Sequence, residues 1–290
     1  MFLSLKVRRK HIVEIISIIT ACFVTIMVFS SISASAEKKE GIFVPIIMYH
    51  SILKDENMWG DYVLSPVELE KDIVYLKTNG YTPIFVNDLI SYVNYGEKLP
   101  SKPVIISFDD GYYNNYTYLF PLLKKYDFKA TISVVGSFTE NYSSGEEEPN
   151  PSYSCLRWQD INEMRNSGYV EICNHTFDMH SNESRSGASR MKNESYEDYR
   201  SVFIKDIFKM QDLCESYCGF KPNVFTYPFG AHDESSDRLV KNCGFSASLG
   251  VEGKPNYIVK GDTECLYNLN RYNRPSFIST EDFMKKALHE

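Results

Sequence analysis

Strand-like apolar runs alternate with helix-forming segments from residue 44 to about residue 250, and no other feature of the chain narrows its fold as far. VPIIMYH (44–50), PVIISFDD (103–110), KATISVVG (129–136), YVEICNH (169–175), NVFTYPFG (223–230) and FSASLG (245–250) read as strands. Near-continuous apolar runs of this kind are what strands covered on both faces look like. SPVELEKDIVYLKTNG (65–80) reads as a helix. Ser65 is its N-cap, Pro66 its first residue and Glu68 the far side of a capping box, and Gly80 stops it. NDLISYVNYG (87–96) repeats the design, and further helices are predicted over 115–127 despite Pro121, over 158–168, about 194–218 and over 235–244. Segments 140–152 and 180–195 read as surface loops. Repeated βα units joined by right-handed crossovers form a parallel sheet with helices outside it. The expected fold class is therefore α/β, with the sheet closed as a distorted (β/α) barrel in a single domain over 41–290.

Residues 1–36 are a separate object. Lys6, Arg8, Arg9 and Lys10 precede an apolar stretch from about Ile15 to Phe29, and Ala34-Ser35-Ala36 ends the segment. That is the layout of a secretory signal, and an uncleaved membrane anchor fits it as well. Either implies export of the rest. The segment holds four of the 31 basic and one of the 38 acidic residues, which leaves 27 against 37 and a net charge of −10. Nucleic acid and anionic membrane both need a basic surface, so neither is an expected partner of this part of the chain. Any membrane contact runs through the N-terminal segment, if it stays uncleaved. Six cysteines remain beyond Cys22. An even number in an exported protein permits disulfides, Cys214 with Cys218 being plausible neighbours on a helix, and buried free thiols fit equally well.

Two polar clusters stand at the C-terminal ends of strands, where parallel α/β folds build their sites. SFDDG (107–111) puts two carboxylates side by side. Consecutive strand residues face opposite ways, and two adjacent carboxylates do not both stay ionised cheaply without a cation nearby. EICNHTFDMH (171–180) carries His175 and His180 five residues apart, a spacing that suits neither a helix face nor a strand face. One reading makes one of them a core histidine and the other a surface one. The alternative is that the chain turns between them around an ion held by two imidazoles and a carboxylate, a zinc-type set.

At these residues the chain resembles the polysaccharide deacetylase family, the NodB-homology domains of carbohydrate esterase family 4, over most of 44–285. Ser107-Phe108-Asp109-Asp110-Gly111 is similar to its first motif, which implies Asp109 as general base and Asp110 as metal ligand. His175-Thr176-Phe177-Asp178-Met179-His180 matches the longer form of the second motif, which resembles the branch acting on biofilm poly-N-acetylglucosamine. The third motif is Thr226-Tyr227-Pro228-Phe229-Gly230. The resemblance implies a barrel of the NodB-homology type and one divalent ion, Zn²⁺, on Asp110, His175 and His180. It further implies substrate contacts at Tyr227, Phe229 and Arg271, with the Phe229 backbone N–H as an oxyanion donor. The implied reaction removes N-acetyl groups from an N-acetylglucosamine polysaccharide of the envelope or matrix.

There are two departures from the pattern. Thr226 stands where the family has the arginine that pairs with the base, and Arg271 is placed to supply that charge. No late Leu-x-His motif is recognisable, Leu269-Asn270-Arg271 standing near its place. The resemblance to the biofilm branch, where a histidine early in the chain fills that role, implies His50 in MYHS (48–51) as general acid, with a supporting hydrogen-bonding role equally open to it and His232 next in line. The departures leave two alternatives open: an O-acetyl esterase using the same residues, and an inactive glycan-binding module.

Overall fold

Ile46–Tyr49 (β1) is buried at every residue and pairs in parallel with Pro103–Phe108 (β2), Ile46 opposite Ile105 and Tyr49 opposite Phe108. The computed structural model to which these strands belong describes residues 41–145, 147–182 and 185–290. Ala130–Val134 (β3), Val170–Asn174 (β4), Val224–Thr226 (β5) and Ala247–Leu249 (β6) follow, each parallel to its neighbour. Tyr272–Asn273 (β7) lies on the other side of β1, giving the order β6-β5-β4-β3-β2-β1-β7. The sheet curls until its ends approach. Leu269, just ahead of β7, bridges Leu249, with its N–H on Ser248 O at 2.8 Å and its carbonyl accepting from Gly250 N at 2.9 Å. The distorted (β/α) barrel that the alternation predicts is the fold that forms.

The helices are Pro66–Thr78 (α1), Val86–Tyr95 (α2), Phe120–Tyr126 (α3), Gly136–Ser143 (α4), Trp158–Asn166 (α5), Tyr196–Cys218 (α6), Glu234–Asn242 (α7) and Thr280–Leu288 (α8). Ser65 caps α1 by accepting from Glu68 N at 3.0 Å. Only half of the expected capping box forms, because the Glu68 carboxylate turns to Lys71 instead. The helix expected over 115–127 is in two parts. Asn115–Leu119 is a π-helical stretch, and α3 continues from it with Pro121 as its second residue. The loop expected over 140–152 begins late, since residues 140–143 complete α4. The short β7 and the C-terminal α8 were not anticipated. α8 buries Phe283, Met284, Ala287 and Leu288 against the core.

Alternate strand residues serve two apolar layers. Ile47, Ile106, Ile132 and Ile172 pack with α1, α3, α5 and α8, whereas Ile46, Ile105, Cys173 and Val224 pack with α2. The second set continues towards the C-terminal rim as Ser107, Ser133 and Thr226, and then Asp109 and His175. Apolar residues thus support a polar rim along one parity of the strands. All six cysteines of the described residues are free. The N-terminal segment 1–36 lies outside the described residues, and no described helix is long and apolar enough to cross a membrane.

Candidate active site

Asp109 follows β2 directly, with its backbone N–H on Tyr49 O at 3.0 Å, so His50 at the end of β1 shares its stretch of rim. The carboxylate is buried and gripped by an arginine that stands just ahead of β7. Arg271 donates Nη1 to Oδ1 at 2.7 Å and Nη2 to Oδ2 at 2.8 Å, with its Nε on Gly250 O at 2.6 Å. Burial alone would raise Asp109, but the Arg271 charge and fork outweigh it and hold the carboxyl below its ordinary value. Arg271 itself is 0 % exposed. Its expected place as a substitute charge is filled. Its expected contact with substrate is not, because a guanidinium this deep presents no surface.

Asp110 breaks the strand alternation. Its φ of 69° swings its side chain back over the rim instead of out among the helices. Oδ1 lies 3.0 Å from His180 Nε2 and 3.6 Å from His175 Nε2, and the three ligand atoms sit within 4.8 Å of one another. His175 Nδ1 meets Thr226 O at 2.8 Å. Nδ1–H on that carbonyl leaves Nε2 to offer its lone pair to an ion in the neutral ring, or to donate to Asp110 in the protonated one. A histidine oriented for a metal is held in this way, and the set fits a divalent cation. Burial would raise Asp110, but hydrogen bonds from both histidines hold it far below its usual range. His175 is pulled down by burial and still ends raised, through the same bond to Asp110 and the charges of both aspartates.

The turn between the histidines departs from strand geometry at once. Thr176 has φ 70°, in a region that β-branched residues rarely enter. Its N–H is taken by Asn174 Oδ1 at 2.8 Å, its carbonyl accepts from Gly136 N at 3.0 Å, and its hydroxyl accepts from Met179 N at 3.2 Å. The Thr226 hydroxyl pairs with Ser133 Oγ at 2.7 Å, so it carries no charge to the base and serves through its carbonyl.

The remaining expected residues divide. His50 Nδ1 is buried and has no hydrogen-bond partner among the described residues. Burial lowers the His50 pKa, with Asp109 and Asp110 acting against it, which makes its protonated form a stronger acid than an ordinary imidazolium. Phe229, at φ 58° and 46 % exposed, lies beside His180 with ring centroids 4.5 Å apart. Tyr227 was expected to touch substrate. It is buried instead, with its hydroxyl on Asp237 at 2.9 Å, so it braces the third motif from below. His232 is engaged by the same Asp237 at 3.1 Å. Two further residues join the site. Tyr112, hydrogen-bonded to Asp110, is pushed well up by burial and by that charge. Tyr62 is 58 % exposed, sets its ring edge-on to His50 at 4.8 Å, and is pinned by its carbonyl to Ser51 N at 3.0 Å. Tyr112 was within reach of sequence reasoning, being the next residue after the Asp-Asp-Gly turn. Tyr62 lies twelve residues beyond His50 and carries no local signal.

Residues 96–248 match the family profile described as polysaccharide deacetylase. A poly-beta-1,6-N-acetyl-D-glucosamine N-deacetylase of Escherichia coli K12 is 27 % identical over 203 residues, 63 % of this chain and 30 % of that protein. A protein of the same name from Staphylococcus aureus MRSA252 is 26 % identical over 194 residues, 67 % of this chain and 63 % of that one. The chain therefore spans under two thirds of the length of the curated relatives it matches. A solved de-N-acetylase from Aggregatibacter actinomycetemcomitans superposes with a TM-score of 0.71 at 25 % identity, covering 85 % of this chain and all of that one.

Proposed function

The chain belongs to the polysaccharide deacetylase family, and from that premise we propose that residues 41–290 are an exported, divalent-metal-dependent hydrolase that removes N-acetyl groups from an N-acetylglucosamine polysaccharide. One observation carries the reading. A buried Asp109–Arg271 pair stands on the same rim as a cluster of Asp110, His175 and His180 that is fit for a cation. The names of the relatives support the choice of an N-acetylated glucosamine polymer.

Asp110, His175 and His180 would hold the ion, taken to be Zn²⁺. When bound it supplies Lewis acidity, polarising the acetyl carbonyl and lowering the pKa of the attacking water. Asp109 receives the proton from that water as the water oxygen bonds to the carbonyl carbon. Arg271 keeps the carboxylate ionised and fixed while it waits. The Phe229 backbone N–H donates to the carbonyl oxygen as negative charge gathers there. His50 delivers a proton to the amide nitrogen, the C–N bond breaks, and acetate and a glucosamine unit leave. Tyr62 and Phe229, exposed at either end of this part of the rim, are the surfaces against which a pyranose ring packs.

The binding-module alternative drew its motive from the missing arginine and the missing late histidine, and Arg271 answers the first of these. The test is acetate release from N-acetylated and O-acetylated oligosaccharides, with and without a chelator. Chelator-sensitive release from the N-acetyl substrate is expected. Release only from the ester would favour the esterase, and none from either, with metal restored, would favour the module.

A further inference from the structure

The five-residue spacing of His175 and His180 needs a turn, and a turn made of ordinary residues needs somewhere to put its backbone N–H groups. The Thr176 N–H and hydroxyl are met from close by, and its carbonyl from Gly136 at the start of α4, as described above. The next two are met from a distance. Asp206, on α6, accepts Phe177 N at 2.7 Å on one carboxylate oxygen and Asp178 N at 2.8 Å on the other. From α4, Ser137 N donates to Phe177 O at 2.7 Å. The polar groups of Thr176 and Phe177 and the N–H groups of Asp178 and Met179 are thereby assigned.

We propose that Asp206 is a positioning residue for the metal centre: from α6 its carboxylate holds the turn that brings His180 to Asp110 and His175. The inference rests on the metal-site reading and adds a residue to it that no motif contains. The geometry is specific. A carboxylate with one oxygen on each of two successive N–H groups fixes the direction of that peptide. The ring of Phe177 is held on the same side by Lys209, one turn further along α6, at 3.5 Å from its centroid. There is no room for the segment to relax toward α4, since a Cβ on Gly136 would stand 2.8 Å from Phe177 Cδ2 and 2.8 Å from Met210 Sδ. Thr176 is meanwhile held at φ 70°, a strained state that lasts only where its surroundings over-determine it. Removing the carboxylate leaves two N–H groups without acceptors beside a strained residue, and the turn has reason to unwind. His180 moves with it, while His175 stays at the end of β4, its N–H on Val134 O.

The test uses the Asp206→Asn and Asp206→Glu variants of the protein. Asparagine keeps the shape but offers a single acceptor oxygen, and glutamate keeps both acceptors on a longer stem. Zn²⁺ affinity is measured by competition with a chelator, Co²⁺ absorption reports coordination geometry, and amide exchange at Phe177 and Asp178 is followed without metal. Outer partners of metal-bound residues typically matter by about 10–100-fold in affinity. Asp206→Asn is expected to weaken Zn²⁺ by that order, change the Co²⁺ spectrum and speed exchange at both amides, with Asp206→Glu recovering part of each. Unchanged exchange at the two amides in a folded Asp206→Asn protein overturns the proposal whatever the metal does. So does Zn²⁺ affinity within about twofold of the parent. A parent that binds no divalent ion would sink the metal reading instead, and the exchange result would still decide whether Asp206 holds the turn.

Discussion

Replacing Arg271 by methionine removes the largest of the charges that balance a buried base. Neither partner of the Asp109–Arg271 pair reaches water to any useful extent, Arg271 being 0 % and Asp109 3 % exposed. Two unit charges about 4 Å apart interact by about 4 kcal/mol at the effective dielectric that suits protein interiors. Breaking a buried pair by deleting one member typically costs about 3–5 kcal/mol, which for a domain of this size is roughly 10 °C of melting temperature. The sign follows from the direction in which Asp109 is held. In the parent its carboxyl lies below its ordinary value, so its contribution to stability is present at neutral pH and lost only as pH falls through that lowered value. In Arg271→Met burial acts unopposed by the guanidinium and Asp109 moves up. The stability gap between variant and parent should then be widest near neutrality and close as the carboxylate protonates on acidification. Activity follows the same group. Loss of a working base costs about 10²–10⁴-fold. The variant should sit near the lower figure at neutral pH and regain activity as pH rises, its acid limb displaced to higher pH at saturating Zn²⁺. Arg271→Lys, which keeps the charge without the fork, should fall between. Melting curves from pH 4 to pH 9 and kcat/KM over the same range are the assay. A pH–rate profile that merely drops, with its acid limb where the parent has it, would show that Arg271 does not tune the base.

Asp109→Asn should retain the ion and lose about 10²–10⁴-fold in turnover, whereas Asp110→Asn should lose the ion first. Equal metal contents in the two variants would erase that division of labour. His50→Ala should cost about 10²-fold or more on an N-acetyl substrate and much less on an activated acetate ester, whose leaving group departs without a proton. Matching losses on the two would remove His50 as the acid. Zn²⁺ affinity should fall as pH is lowered from about 8 to about 6, because ligand imidazoles must shed their protons to bind and His175 holds its proton above the ordinary range. A chelator titration that is flat across that interval would contradict the ligand set.

The strands that carry the site were readable because strands covered on both faces are written as unbroken apolar runs, and the helices between them because Ser65, Pro66 and Gly96 mark their ends. The first two motifs were readable for a related reason, since side chains at the end of a strand stay close in sequence when they are close in space. What the sequence hides is reach. Arg271 meets a carboxylate 162 residues away, and the strand it precedes, β7, is two residues long and leaves no periodicity to detect. Asp206 lies on the polar side of a 23-residue helix among other acidic residues, with nothing local to separate it from them. Tyr227 was misread for the opposite reason. Its neighbour Phe229 does face the site, but one residue in between is Pro228 and the next adopts positive φ, so proximity in the motif does not give a shared face.

The conformation of three residues explains why one rim can hold so many groups. Asp110, Thr176 and Phe229 have φ of 69°, 70° and 58°, and each stands two or three residues beyond the end of a sheet strand, β2, β4 and β5. A strand that ran on would point every second side chain away from the rim, and Asp109 and Asp110 would work on opposite sides of the sheet. The left-handed step reverses that alternation at the place where the chain leaves the barrel. It lets Asp110 turn back toward His175 while Asp109 stays inside with Arg271. Each step costs about 1–3 kcal/mol for a residue that is not glycine, and glycine would avoid that cost at all three. Asp110 cannot be glycine because its carboxylate is the ligand. Thr176 uses its hydroxyl on Met179 N, and Phe229 presents its ring beside His180. The strain is therefore retained where the side chain is needed, and at Thr176 it is held in part by hydrogen bonds to its turn from α4 and α6.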